Sequence, residues 1–214
     1  MITLISQRTR ETGFFKSDCL EQPYVEYLSR FGFNLIPVPN SLQNLDFYLS
    51  LNVERIILTG GGDIGDEISK ERDKTEKALL DFAIEKKIPV LGVCRGMQFI
   101  NHYFGGKLRK IGEVSSQNHV AVNHPVKIIS NELQNLFGNE IKVNSYHNLG
   151  IEKTGLGSRL KEFAISDDGL VEGLYHPQLP IVGIIWHPER ESPDKEANEK
   201  IIKAFLDGGL FWNK

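Results

Sequence analysis

A cysteine held between two glycines at the end of an apolar run, Val90-Leu91-Gly92-Val93-Cys94-Arg95-Gly96-Met97, constrains this chain more than any other feature. Gly-x-Cys-x-Gly is the cysteine form of the nucleophile elbow, where a strand turns sharply into a helix and the glycines remove Cβ atoms that would collide at the crossing. The motif predicts a strand over residues 90–93, a strained Cys94, and a helix running to about residue 104. The positive end of that helix faces the sulfur and favours thiolate over thiol. The alternative is a buried cysteine in a glycine-rich turn with no chemistry attached.

The rest of the chain supplies a frame for such an elbow. Residues 2–6, 34–38 and 55–59 read as buried strands. Residues 23–31, with Tyr24, Tyr27, Leu28 and Phe31 at helical spacing, read as a helix, as do residues 73–87, where Ala78, Leu79, Phe82 and Ala83 form a stripe and Pro89 follows. This alternation predicts an α/β fold with a mostly parallel sheet covered on both faces. Beyond the elbow helix, residues 124–129, 142–144, 162–166, 171–175 and 182–186 read as shorter strands, several of them antiparallel, before a last helix over 195–206. With no repeat or linker, one domain over residues 1–214 is expected.

The balance of 25 basic against 28 acidic residues, net −3 with no long run of one sign, predicts neither a nucleic-acid nor a membrane-surface partner. No apolar run is long enough to span a bilayer and the first residues lack a signal-peptide pattern. Two cysteines, Cys19 and Cys94, fit neither a disulfide framework nor a zinc site, so a reducing, cytoplasmic setting is expected. Cys19, near a helix start, reads as a buried bystander; Phe211 and Trp212 read as closing the core or a dimer contact. His119, His124 and His147 lack a helical His-x-x-x-His or paired-cysteine spacing, so no metal and no cofactor is expected. His102 and His176 read as packing or surface residues.

A thiolate needs an acid/base and a group to orient it. The buried run Val182-Gly183-Ile184-Ile185-Trp186 delivers His187 to a strand end, and Glu189, two residues on in an extended segment, faces the same way while Pro188 stiffens the turn. Thr59-Gly60-Gly61-Gly62-Asp63 directly follows a strand, and three glycines let backbone N–H groups converge as an oxyanion hole requires. A phosphate cradle or plain turn is the alternative, although neither Gly-x-Gly-x-x-Gly nor a P-loop lysine is present.

Taken together, Thr59-Gly60-Gly61-Gly62, Gly92-Val93-Cys94-Arg95-Gly96-Met97-Gln98, Val143-Asn144-Ser145-Tyr146-His147 and Trp186-His187-Pro188-Glu189 resemble the class I glutamine amidotransferase superfamily, and more narrowly its γ-glutamyl hydrolase branch. The resemblance implies a flavodoxin-like three-layer αβα fold, with Cys94 as nucleophile, His187 as acid/base and Glu189 as orienting carboxylate. It implies an oxyanion hole from the amides of Arg95 and of Gly61 or Gly62, and a glutamyl contact from Gln98. Asn144, Ser145, Tyr146 and His147 fall on the family's second substrate loop. The implied reaction is hydrolysis of a small-molecule γ-glutamyl amide through a thioester, by a monomer or homodimer.

Two departures bear on the substrate. Subunits that feed ammonia to a synthetase usually carry Cys-Leu-Gly-His-Gln, whereas this chain has Cys94-Arg95-Gly96-Met97-Gln98, nearer to free-standing hydrolases. Arg8, Arg10, Lys107, Arg109 and Lys110 are either a solvated basic surface or cations on the rim where open α/β sheets bind ligands, suited to an anionic leaving group such as a nucleotide diphosphate. A glutaminase subunit serving a synthetase and a non-catalytic ligand sensor on the same fold are the competing readings.

Overall fold

A computed structural model describes residues 1–112 and 119–207. In chain order it holds β1 (Ile2–Ser6), β2 (Arg8–Thr12), β3 (Phe15–Cys19), α1 (Gln22–Ser29), β4 (Asn34–Val38), α2 (Asp46–Leu49), β5 (Arg55–Leu58), α3 (Lys70–Lys86), β6 (Val90–Val93) and α4 (Arg95–Tyr103). Then follow β7 (Arg109–Lys110), β8 (Val120–Ile128), α5 (Asn131–Phe137), β9 (Glu140–Tyr146), β10 (Leu149–Gly150), β11 (Lys161–Ser166), β12 (Val171–Tyr175), β13 (Ile181–Ile184) and α6 (Lys195–Asp207).

Nine strands form one sheet in the order β4-β1-β5-β6-β13-β12-β11-β8-β9. The first five run parallel; the remaining four continue the sheet antiparallel. In the parallel half β6 and β13 are buried at every residue, as expected of strands covered on both faces. Side chains alternate along a strand, so Ile57, Leu91 and Val93 meet Tyr24 and Leu28 of α1 and Ile202 of α6, while Leu58 and Gly92 on the opposite face meet α4. The sheet is thus sandwiched between helices, the α/β architecture that the alternating sequence predicts. Its parallel strands end where the chain turns at Thr59 and Cys94, which brings the glycine loop and the elbow to one edge.

Several elements differ from the sequence reading. Helix α3 starts at Lys70, and its buried stripe is Arg72, Thr75, Glu76, Leu79, Leu80 and Ala83. Half of that stripe is polar or charged, which hides it from apolar periodicity. The β2–β3 hairpin was not expected because its strands are largely exposed, nor was α5, which buries only Leu133 and Phe137. Cys19 ends β3 just ahead of α1, near a helix start as expected, but it is only partly buried, with its thiol donating to the Arg8 carbonyl at 3.4 Å. Phe211 and Trp212 lie outside the described residues. No helix among the described residues is long and apolar enough to cross a membrane.

Candidate active site

Strand β6 ends at Val93 and α4 begins at Arg95, so Cys94 alone makes the turn, with φ +52° and ψ −108°. Such a conformation costs a residue with a Cβ about 1–3 kcal/mol and needs the surroundings to impose it. Here the Cys94 N–H donates to the Ile184 carbonyl at 2.8 Å and its carbonyl accepts from the Gln98 N–H at 3.1 Å. The flanking glycines are sterically required. A Cβ on Gly92 would lie 2.6 Å from the Gly96 carbonyl carbon, and one on Gly96 would strike the Leu58 carbonyl oxygen.

Behind the elbow lies a buried charge network that periodicity did not reveal. The Arg95 side chain points into the protein and pairs with Asp73 and Glu76 of α3. Glu76 also accepts from Ser6 Oγ and Arg72 Nε, each at 2.8 Å. Arg72 in turn donates to the carbonyls of Thr59 at 2.6 Å, Gly60 at 3.2 Å and Gly61 at 2.7 Å. In a trans peptide the N–H points opposite the carbonyl, so these bonds turn the following amides away from α3. The Gly60 N–H is taken by the Tyr24 hydroxyl at 2.9 Å, while Gly61 and Gly62 line a cavity of about 350 Å³ that also contains Cys94 and His187.

His187 Nδ1 lies 2.6 Å from Glu189 Oε1. A carboxylate only accepts, so Nδ1 carries the proton and Nε2 is left for the Cys94 sulfur, with which the imidazole shares a hydrogen bond. Burial disfavours the imidazolium, but the Cys94 and Glu189 charges outweigh it and lift the His187 pKa to about 10. Burial likewise opposes the Cys94 thiolate, and His187, helped by the Arg95 backbone N–H, overrides it and lowers the thiol pKa. Each charge favours the other, so the geometry shifts the pair toward thiolate and imidazolium.

The expected substrate loop divides in two. Tyr146 and His147 line the cavity, as does Gln98, whose amide nitrogen donates to the Leu149 carbonyl at 2.9 Å. Asn144 and Ser145 point elsewhere. Asn144 Oδ1 accepts the His187 N–H at 2.8 Å and its Nδ2 donates to the carbonyls of His187 and Glu191, at 2.8 and 2.9 Å, so it braces the segment bearing His187. Ser145 Oγ donates to the His119 carbonyl at 2.7 Å. Residues 144 and 146 share one face of β9, and what separates them is depth: Asn144 is buried against the His187 segment, whereas Tyr146 stands exposed at the strand end.

The five basic residues do not converge. Arg8 lines the cavity, but Arg10, expected to contact substrate, does not line it and lies 3.6 Å from Glu21. Lys107 borders a different cavity beside Tyr103, Arg109 pairs with Glu152, and Lys110 lies on β7 against β10. The cation that sequence reading missed is Arg190, one residue past Glu189. It lines the cavity, pairs with Glu21 at 3.0 Å and covers the Tyr146 ring at 4.7 Å. Asp63, at the end of the glycine loop, supplies a carboxylate on the same wall. His102 is exposed on α4, and His176 is buried, its Nδ1 accepting from the N–H groups of Gln178 and Leu179.

With this geometry in place, comparison with known proteins decides the family. Residues 2–189 match the peptidase C26 family. The chain belongs to that family. Among its relatives, a γ-glutamyl-CDP-amidate hydrolase of Campylobacter jejuni is 35% identical, over 83% of this chain and 83% of the relative. Anthranilate synthase component 2 of Cyanophora paradoxa is 30% identical, over 85% of this chain and 90% of the relative. The solved structure of a glutamine amidotransferase from Thermotoga maritima superposes with a TM-score of 0.63, covering 96% of this chain and 82% of the other at 20% identity, which shows the shared fold. This peptidase C26 protein is a hydrolase of glutamine amidotransferase type.

Proposed function

We propose that the protein hydrolyses a γ-glutamyl amide through a glutamyl-thioester, with Cys94, His187 and Glu189 as the catalytic residues. The observation that carries this reading is the strained Cys94 at the mouth of α4 facing a histidine whose far nitrogen is fixed by a carboxylate at 2.6 Å. The Cys94 thiolate attacks the γ-carbonyl, and the amides of Arg95 and of Gly61 or Gly62 hold the oxyanion; one such donor is worth about 3–4 kcal/mol. The His187 imidazolium protonates the departing nitrogen, then as neutral imidazole takes a proton from the water that cleaves the thioester. Glutamate leaves and the thiolate–imidazolium pair is restored.

The cavity wall fits an amino-acid head group. Arg8 and Arg190 suit the α-carboxylate or an anionic leaving group, and Asp63 suits the α-ammonium, with Gln98 and Tyr146 alongside. The Campylobacter relative's name makes γ-glutamyl-CDP-amidate, releasing cytidine diphosphoramidate, the first substrate to test. The alternative, a glutaminase subunit that passes ammonia to a synthetase, is favoured by the likeness to anthranilate synthase component 2.

The test is glutamate release by the purified chain from a panel comprising γ-glutamyl-CDP-amidate, γ-glutamyl-γ-aminobutyrate and glutamine. Turnover of a bulky γ-glutamyl amide by the chain alone is expected. Ammonia release from glutamine only when a second protein is added would establish the subunit reading instead. No glutamate from any substrate, together with no covalent labelling of Cys94 by a glutamine-analogue electrophile, would overturn the proposal.

A further inference from the structure

Next to the cavity, and outside the chemistry above, four ionisable side chains from separate parts of the chain point at one another. His119 precedes β8, His124 lies on β8, His147 follows β9, and Glu172 lies on β12. All four are buried, Glu172 completely. Both Glu172 carboxylate oxygens, His119 Nδ1, His124 Nε2 and His147 Nε2 have no hydrogen-bond partner among the described residues. Buried polar atoms are nearly always paired, so five such atoms facing one point demand a physical account.

The outward nitrogens supply it. His124 Nδ1 lies 3.1 Å from the Pro125 carbonyl, His147 Nδ1 3.0 Å from the Leu149 carbonyl, and His119 Nε2 3.0 Å from Asp168 Oδ2. Carbonyl and carboxylate oxygens only accept, so each of these nitrogens bears the proton, and in the neutral ring each inward nitrogen is a bare lone pair. Three lone pairs then converge on a carboxyl group. A protonated Glu172 has one proton to give, and the separations are too long for it to be given. Glu172 Oε1 lies 3.7 Å from His119 Nδ1 and 3.8 Å from His147 Nε2, and Oε2 lies 3.6 Å from His124 Nε2.

Those separations instead approach the edge of a coordination tetrahedron. Zinc binds imidazole nitrogen and carboxylate oxygen at about 2.0–2.2 Å, which places neighbouring ligand atoms about 3.3–3.6 Å apart. The far ring nitrogen of a metal-bound histidine donates to a carboxylate or a backbone carbonyl, the arrangement that all three histidines show here. The ligand atoms of His119, His124 and Glu172 already lie within 4.8 Å of one another.

We propose that Glu172, His119, His124 and His147 form a zinc site. It is a closed site of four protein ligands, so its role is to position, not to react. The ion would tie β12 to both ends of the segment pair that carries Tyr146 and His147, and these two residues line the Cys94 cavity. The His147 N–H already donates to the His119 carbonyl at 2.9 Å, so the ligands arrive on a braced frame. Imidazole with a single carboxylate suits zinc better than magnesium or calcium.

The experiment measures zinc in the full chain by mass spectrometry after exhaustive dialysis, then titrates chelator-treated protein with Zn²⁺ and with Co²⁺. About one tightly held ion per chain is expected, with the visible bands of four-coordinate Co²⁺ and a zinc-dependent rise in Tm. Cys94→Ala must keep the ion, which separates this site from a chance one on Cys94 and His187. Glu172→Gln and His124→Ala must each weaken zinc at least about tenfold. The proposal is overturned by wild-type protein that binds no stoichiometric zinc, a readout that needs no variant to fold. It is equally overturned by zinc that follows Cys94, or by affinity unchanged in Glu172→Gln.

Discussion

Glu76 and Glu172 are both completely buried glutamates, and the structure treats them in opposite ways. Glu76 sits among Arg72, Arg95 and Ser6; burial alone would raise its pKa, but the two guanidiniums outweigh burial and lower it. Glu172 has no cation and no donor within hydrogen-bond distance among the described residues, and burial pushes its carboxyl well above the usual range. Partners, more than depth, fix the charge of a buried carboxyl. Glu76 is one member of a finished network that runs from α3 through Arg95 to the glycine loop. Glu172 belongs to a set of unpaired atoms that the proposed zinc ion would complete.

The contrast is sharpest in substitutions that cross it. Cys94→Ala, on the Glu76 side, should reduce glutamate release by at least about 10³-fold while leaving the melting profile close to wild type. Residual turnover within tenfold of wild type would remove Cys94 from the chemistry. For Glu189→Gln a loss on the order of 10²–10⁴-fold in kcat is expected, because the amide NH2 can donate to Nδ1 and hold His187 in the other tautomer. Removing that negative charge also destabilises the imidazolium, so the alkaline limb of the rate profile, set in wild type by a His187 pKa of about 10, should move to lower pH. An unmoved limb would mean that Glu189 does not touch His187 electrostatically.

Stability separates the two glutamates directly. Glu76→Gln removes the carboxylate that pairs with Arg72 and leaves Arg95 with Asp73 alone, and should cost about 3–5 kcal/mol in urea unfolding. In metal-free protein Glu172→Gln should cost less than about 1 kcal/mol, since no charge-assisted bond is lost. Equal costs would break the comparison. The wild-type contribution of Glu76 is present above the ordinary carboxylate pKa and is lost as pH falls through its lowered folded value, so Glu76→Gln should flatten the acid limb of stability. Tyr24→Phe, which leaves the buried Gly60 N–H without its acceptor, should cost about 1–3 kcal/mol of stability, between the two glutamate variants, with a modest fall in kcat if the loop amides shift.

Local sequence carried much of this. The elbow, the glycine loop and His-Pro-Glu are short motifs whose residues meet because each follows a buried strand of the parallel half, and strand ends in such a sheet share one edge. Elements with a strong apolar period, such as β1, β6 and β12, lie where periodicity places them. Where the buried face is polar the period vanishes from view, as in the first turns of α3. Exposed pieces such as the β2–β3 hairpin carry too little apolar burial to be seen at all. On the substrate loop, the motif located the right segment but not which side chains turn toward the cavity, and Asn144 braces His187 instead.

The sequence by itself determined the strand-to-helix turn at Cys94, because only glycines fit at 92 and 96, and with it the α/β frame and the residues proposed for catalysis. Tertiary structure alone decided that Arg190 and not Lys107, Arg109 or Lys110 reaches the cavity, that Arg72 fastens the glycine loop, and that His119, His124, His147 and Glu172 converge. The physical reason is range. A turn is fixed by sterics between near neighbours, whereas the meeting of β8, β9 and β12 depends on strand order in a sheet, and no local spacing encodes that order.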